Sequence, residues 1–132
     1  MSKLFAGIIV LAVVAFVFVL RGQAGGEPFT TVGVDRFAAI VDSADVQLVD
    51  VRTAEEYAGG HLPGAVLIDV KSAGFLSEAA SRLDHGHVVA VYCRSGRRSA
   101  DAARRLSAAG YRVVNLDGGI MAWQKAARPV VR

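Results

Sequence analysis

Short β-rich runs alternate with stretches of helical spacing from Phe29 onward, and this alternation limits the fold more than any other feature of the sequence. Strands are expected over Phe29–Val32, Val46–Val51, Ala65–Ile68, Val88–Tyr92 and Tyr111–Leu116, with VVAVY at 88–92 the strongest signal. Helices are expected over Val34–Ser43, from Thr53, over Arg97–Ala109 and over Gly119–Ala126. A helix between two strands carries the chain back to the edge it left, so consecutive strands run in one direction and the helices cover the sheet. The fold class is therefore α/β, a parallel sheet flanked by helices on both faces.

Local signals mark several boundaries. Val34, Phe37, Ala38 and Val41 recur at helical spacing, with Asp35 near the start. Thr53 and Glu56 have the spacing of a capping box. Ala102, Ala103, Leu106 and Ala109 make an apolar stripe, Asp101 is placed to pair with Arg105, and Gly110 is the expected stop. In such sheets ligands bind beyond the carboxyl ends of the strands. Those ends are Asp50-Val51-Arg52, Cys93, and Asp117-Gly118-Gly119, so the one cysteine falls in the expected site.

Ahead of the domain, Leu4–Leu20 is an apolar run of 17 residues with Gly7 its only weak member. As a helix it would span roughly 25 Å, against a hydrocarbon core about 30 Å thick. Lys3 and Arg21 flank it and can snorkel, so residues 1–21 are read as a membrane anchor. A cleaved signal is the rival, with Gly22-Gln23-Ala24 as a small-x-small pattern, although Arg21 sits awkwardly close to the cut. Lys3 and the amino terminus slightly outweigh Arg21, which puts the domain on the outer (periplasmic or extracytoplasmic) face. Secretion after cleavage and a cytoplasm-facing domain are the alternatives. Residues 22–28 carry Gly22, Gly25, Gly26 and Pro28 and read as a flexible linker to a domain at 29–132.

The 132 residues allow one modest domain. The net charge of +3 misleads: without Lys3 and Arg21, the 15 basic side chains fall to 13 against 12 acidic ones. A near-neutral domain argues against bulk electrostatic binding of nucleic acid. A single cysteine excludes an intrachain disulfide, a dithiol motif and a multi-cysteine zinc site. His85-Gly86-His87 has no carboxylate or cysteine cluster beside it and reads as a solvated turn.

Chemistry concentrates in Tyr92-Cys93-Arg94-Ser95-Gly96-Arg97-Arg98-Ser99, which joins the strongest strand to an amphipathic helix. Backbone N–H groups of such a loop, and of the helix start, can converge on an anion. Gly96 permits a left-handed turn that a side chain would strain. Arg94, Arg97 and Arg98 add positive potential, and together these features favour the thiolate of Cys93 and attract an anionic substrate. A lone cysteine is more often a buried structural residue; three arginines, a glycine and a helix start within six residues favour a nucleophile instead.

These motifs resemble those of single-domain rhodaneses, the thiosulfate sulfurtransferase family. The resemblance runs from about Phe29 to Lys125. LVDVRTAEEYAGGHLPGA (48–65) resembles the family's Asp-x-Arg strand end and Gly-His-x-Pro-Gly-Ala turn, CRSGRRS (93–99) its active-site loop, and LDGGIMAW (116–123) its closing motif. Their order and spacing also fit. The resemblance implies a five-stranded parallel sheet and a sulfurtransferase with no metal or organic cofactor. Cys93 would attack the outer sulfur of thiosulfate, release sulfite and become a persulfide; cyanide or a thiol would then remove the sulfur. Arg94, Ser95, Gly96, Arg97, Arg98 and Ser99 would form the substrate-binding loop. The six-residue loop Cys93–Arg98 is shorter than the seven-residue loop of the related phosphatases and arsenate reductases, which suits a single sulfur rather than a phosphate.

Asp50 and Arg52 are expected beside the loop, as a structural pair or as substrate contacts, and Asp117 and Gly118 near the pocket wall. His61 reads as a turn residue, Gly119 as a close-packing position, Trp123 as core, and Arg104 and Arg105 as a solvated helix face. The partners expected are a small anionic sulfur donor, a thiol or cyanide acceptor, and the membrane through residues 4–20; a protein sulfur acceptor is the further option. The rival function is a persulfide carrier or docking module at the membrane, with little turnover of small molecules.

Overall fold

The computed structural model describes residues 27–132. The apolar run at 4–20 and most of the linker lie outside them. Among the described residues no helix is long and apolar enough to cross a membrane.

Five strands form one sheet: β1 (Thr30–Val32), β2 (Gln47–Asp50), β3 (Val66–Leu67), β4 (Val89–Tyr92) and β5 (Val113–Leu116). Their order is β1-β5-β4-β2-β3, and every neighbouring pair is parallel. The expected α/β class and five-stranded parallel sheet are both found. Helices α1 (Val34–Val41), α2 (Ala54–Gly59), α3 (Phe75–Arg82), α4 (Arg97–Ala108) and α5 (Gly119–Lys125) connect and cover the strands.

The two-residue period of β4 divides the core. Val89 and Val91 join Cys93 in a cluster with Phe75 and Ala79 of α3 and Ala102, Ala103 and Leu106 of α4. Ala90 and Tyr92 face the other side, with Phe37 of α1 and Ile120 and Trp123 of α5. All four β4 residues are buried, as a central parallel strand covered on both faces requires. The register pairs Asp50 with Tyr92, and the β5 end at Leu116 lies beside Val32. One edge of the sheet therefore carries the carboxyl ends of β2, β4 and β5.

Several details differ from the sequence reading. Helix α3 was not expected; its buried residues Phe75 and Ala79 sit four apart, but Gly74 at its N-cap makes no side-chain cap. All five strands are shorter than expected; at β3 and β5 the Ala65 N–H turns back to Leu62 and the Tyr111 N–H closes the end of α4 on Leu106. Ala109 is exposed past the end of α4 and leaves the apolar stripe. Arg105 does not pair with Asp101; it donates to the Val70 carbonyl at 3.1 Å and lies over the Phe75 ring. Arg104 stays exposed and pairs with Glu27.

Candidate active site

Cys93 follows β4, and its side chain continues the Val89–Val91 face into the base of the loop. The residue is only 1% exposed. The Gly96 N–H donates to Sγ at 3.1 Å. Ser99 Oγ lies 3.3 Å from Sγ and 3.2 Å from the Gly96 carbonyl, so its single proton serves one or the other. Burial pushes the thiol up, but donation by the Ser99 hydroxyl and by the N–H groups of Ser99, Gly96 and Ser95 outweighs it and holds Cys93 below its ordinary value. The stabilising groups are thus mainly neutral dipoles of the loop. The Arg94 and Arg97 side chains are exposed and make no hydrogen bond or ion pair among the described residues.

Two glycines give the loop its path. Gly96 has φ +107°, the left-handed conformation that lets the chain enter α4. Gly119 has φ +58°, and a Cβ there would overlap the Cys93 and Arg94 carbonyls. Its bare backbone lets α5 dock: the Ile120 N–H donates to the Cys93 carbonyl at 2.9 Å and the Met121 N–H to the Arg94 carbonyl at 3.2 Å. Gly118 is also left-handed, at φ +75°, and Asp117 is exposed.

Arg98 has a different role from the other loop arginines. Its Nη1 and Nη2 donate to Oε1 and Oε2 of Glu56 at 2.7 and 2.8 Å. Glu56 also completes the capping box with Thr53. The Arg98 hydrogen bonds, aided by Thr53 and opposed by burial, pull Glu56 down to about 2. Sequence reasoning saw Glu56 only as a capping residue; no local signal announces a partner 42 positions away.

Asp50 is fully buried and forms a closed network with Arg52. It accepts from Arg52 Nε and Nη2 and from the Tyr92 hydroxyl, the last at 2.6 Å. Arg52 Nη2 also donates to the Gly60 carbonyl, and the Leu62 N–H donates to the Tyr92 oxygen. This network ties β2 and β4 to the turn after α2. Burial and Asp50 push the Tyr92 phenol well above its ordinary range. Arg52 also lines a cleft of about 310 Å³ with Glu55, Arg94, Met121 and Gln124. His61 stacks on Tyr57 at 3.7 Å, its Nδ1 is 2.9 Å from the Tyr57 carbonyl, and its backbone pairs with Val131. His85 stacks on Tyr111, and His87 is 3.2 Å from Asp84. Among the described residues no three His, Cys, Asp or Glu side chains group as a metal site would require.

A buried, dipole-held thiol at the carboxyl end of a central parallel strand is an arrangement for an anionic sulfur nucleophile. The sequence profile of the Rhodanese-like domain matches residues 33–126. This chain belongs to the rhodanese-like family. A sulfurtransferase of Allochromatium vinosum is 40% identical over 93 residues, 70% of this chain and 84% of the relative. Thiosulfate sulfurtransferase 18 of Arabidopsis thaliana is 33% identical over 116 residues, 79% of this chain and 85% of that protein. The crystal structure of a rhodanese-related protein from Thermoplasma volcanium superposes with a TM-score of 0.68 at 27% identity, covering 78% of this chain and 98% of that one. The rhodanese-like fold and sulfur transfer as its general chemistry are thereby supported.

Proposed function

We propose that the chain moves a sulfane sulfur from thiosulfate, or a related donor, to cyanide or a thiol through a persulfide on Cys93. The observation that carries this reading is the sulfur of the only cysteine, held by the Gly96 N–H and the Ser99 hydroxyl and kept below its ordinary pKa. The Cys93 thiolate attacks the outer sulfur of thiosulfate; a new S–S bond forms, the old one breaks, and sulfite leaves with its electron pair. The persulfide's terminal sulfur keeps the negative charge, and the loop from Arg94 to Ser99 offers it N–H donors already in place. Cyanide then attacks that sulfur, thiocyanate departs, and the thiolate returns. No redox partner is needed, and no second cysteine competes for the sulfur.

The test is the intact mass of the full chain after incubation with thiosulfate, with Cys93→Ser beside it. A gain of one sulfur atom in the native protein alone, reversed by cyanide as thiocyanate accumulates, is the expected result. No gain while an alkylating agent still reacts at Cys93 would reject thiosulfate as donor. Loading without release to cyanide or thiols would make the chain a carrier. The apolar run Leu4–Leu20 supports a further proposal, that the domain is anchored at a membrane and faces outward. A reporter fused after Arg132 and active only inside the cell would defeat the outward orientation.

A further inference from the structure

The Asp50 network engages only part of the Arg52 guanidinium. Nε and Nη2 donate to Asp50 and to the Gly60 carbonyl, while Nη1 makes no hydrogen bond among the described residues. The side chain is only 6% exposed. Among these residues the sealed side-chain atoms that lack a partner are the Ser107, Tyr111 and Asn115 oxygens, and Arg52 Nη1 is not one of them. Its two N–H groups therefore open onto free space, and the space that Arg52 borders is the cleft of about 310 Å³.

That cleft adjoins the Cys93 loop at both ends. Arg94, in its wall, directly follows Cys93. Ile120 and Met121, also in the wall, donate their N–H groups to the Cys93 and Arg94 carbonyls at 2.9 and 3.2 Å. Glu56, a third wall residue, holds Arg98 at the far end of the loop. Two further charges of opposite sign share the cleft. The exposed Arg94 guanidinium and the exposed Glu55 carboxylate make no hydrogen bond or ion pair among the described residues, with each other or with any other group. A carboxylate complements Arg52 Nη1 and Arg94, because guanidinium N–H groups pair best with planar oxyanions. An ammonium complements Glu55. The volume admits an amino acid or a short peptide, and cyanide would fill little of it.

We propose that this cleft is the acceptor subsite and that it takes a zwitterionic amino-acid thiol, with the carboxylate on Arg52 Nη1 and Arg94 and the ammonium on Glu55. The proposal deepens the sulfur-transfer reading and rests on it. The acceptor's thiolate attacks the outer sulfur of the Cys93 persulfide. A new S–S bond forms as the bond to Sγ breaks; the acceptor leaves as a persulfide, and Cys93 returns as the thiolate. Asp50 holds the Arg52 fork in place for this contact.

The test offers three thiols to the full chain loaded with sulfur from thiosulfate: cysteine, mercaptopropionate, which lacks the ammonium, and mercaptoethanol, which lacks both charges. Each variant is read as its KM for one thiol relative to another, so that differences in intrinsic thiol reactivity cancel. Arg94→Gln should raise the KM for cysteine and for mercaptopropionate about tenfold relative to mercaptoethanol, the equivalent of one charge-assisted contact. Glu55→Gln should raise the KM for cysteine alone. Binding is read apart from transfer by nuclear magnetic resonance with S-methylcysteine, which keeps both charges and has no thiol. The Gly60, Ile120 and Met121 amide signals and the Arg52 Nε–H should shift, and the double variant should lose these shifts. Unchanged acceptor preferences in both variants, or no shift at these groups, would overturn the proposal. So would slower loading from thiosulfate in the variants with acceptor preferences intact, which assigns the cleft to the donor. A chain that takes no sulfur from thiosulfate yet binds S-methylcysteine through Arg94 and Glu55 would instead reject the sulfur reading and keep the cleft as a zwitterion site.

Discussion

Ser99 is the side chain that most directly sets the state of Cys93. Its hydroxyl is buried and has two acceptors in reach, the thiol sulfur and the Gly96 carbonyl. Ionisation of the thiol makes the sulfur the stronger acceptor and draws the proton to it. Ser99→Ala removes a donor that favours the charged form, so the thiol pKa rises. The expected outcome is an alkylation-rate profile displaced to higher pH, with little change in the plateau rate at high pH. An unmoved profile would assign the whole lowering to the backbone. At this scale the sequence was informative where chemistry is local: the cysteine, the glycine turn and the loop donors lie within seven consecutive residues. It was uninformative where a partner comes from another element. The three loop arginines look equivalent in sequence, yet Glu56 engages only Arg98. The Asp50 network likewise depends on the Tyr92 hydroxyl, 42 positions away.

Helices α2 and α5 hold the loop by different means, and each predicts a distinct defect. For α5 the contact is steric. Gly119→Ala would push a methyl group into the Cys93 and Arg94 carbonyls in a left-handed backbone, whereas a Cβ at Gly96 meets only ordinary contacts at 3.5 Å or more. Gly119→Ala should therefore cost about 2–4 kcal/mol and Gly96→Ala about 1–2 kcal/mol in chemical denaturation. The reverse order would contradict the docking of α5 on the loop. For α2 the contact is ionic. Glu56 falls from the ordinary 4.5 to about 2 in the folded protein, so its contribution to stability is complete above the ordinary value and is lost as the pH drops toward about 2. Acid unfolding of the native chain followed by circular dichroism should lose stability through that window, and Glu56→Gln should lose less there. The helices were legible in the sequence where a cap or a long stripe announced them, as with Thr53 or α4. Helix α3 was not, because its pattern is short and Gly74 supplies no side-chain cap.

The whole molecule is fastened at its C-terminus as well as through its sheet. Residues His61 and Val131 exchange backbone hydrogen bonds at 2.9 and 2.8 Å, and the Trp123 indole donates to the Pro129 carbonyl at 2.8 Å. Deleting residues 129–132 leaves the Trp123 N–H without its acceptor and frees the turn that carries His61. A loss of about 1–3 kcal/mol in chemical denaturation is expected; an unchanged midpoint would show that the tail contributes nothing to stability. The α/β class was readable because strand–helix alternation permits few arrangements. The strand order was not, since it depends on which buried faces match across the finished sheet.

That order has a consequence for how the chain is made. Among the described strands β1 is the first to be synthesised, yet the strand it pairs with is β5, with Thr30 beside Val114, 84 positions later. On the ribosome the opening strand must wait, unpaired, while nearly the entire domain emerges behind it. Its backbone N–H and C=O groups stay available to other nascent chains for that interval. The sheet closes only once β5 is free, and β5 leads straight into the glycines that seat the Cys93 loop. Completion of the fold and seating of the Cys93 loop are thus late events of translation, and a truncated chain ending before Val113 would carry the cysteine and its donors Ser95, Gly96 and Ser99 without α5, which docks on the loop.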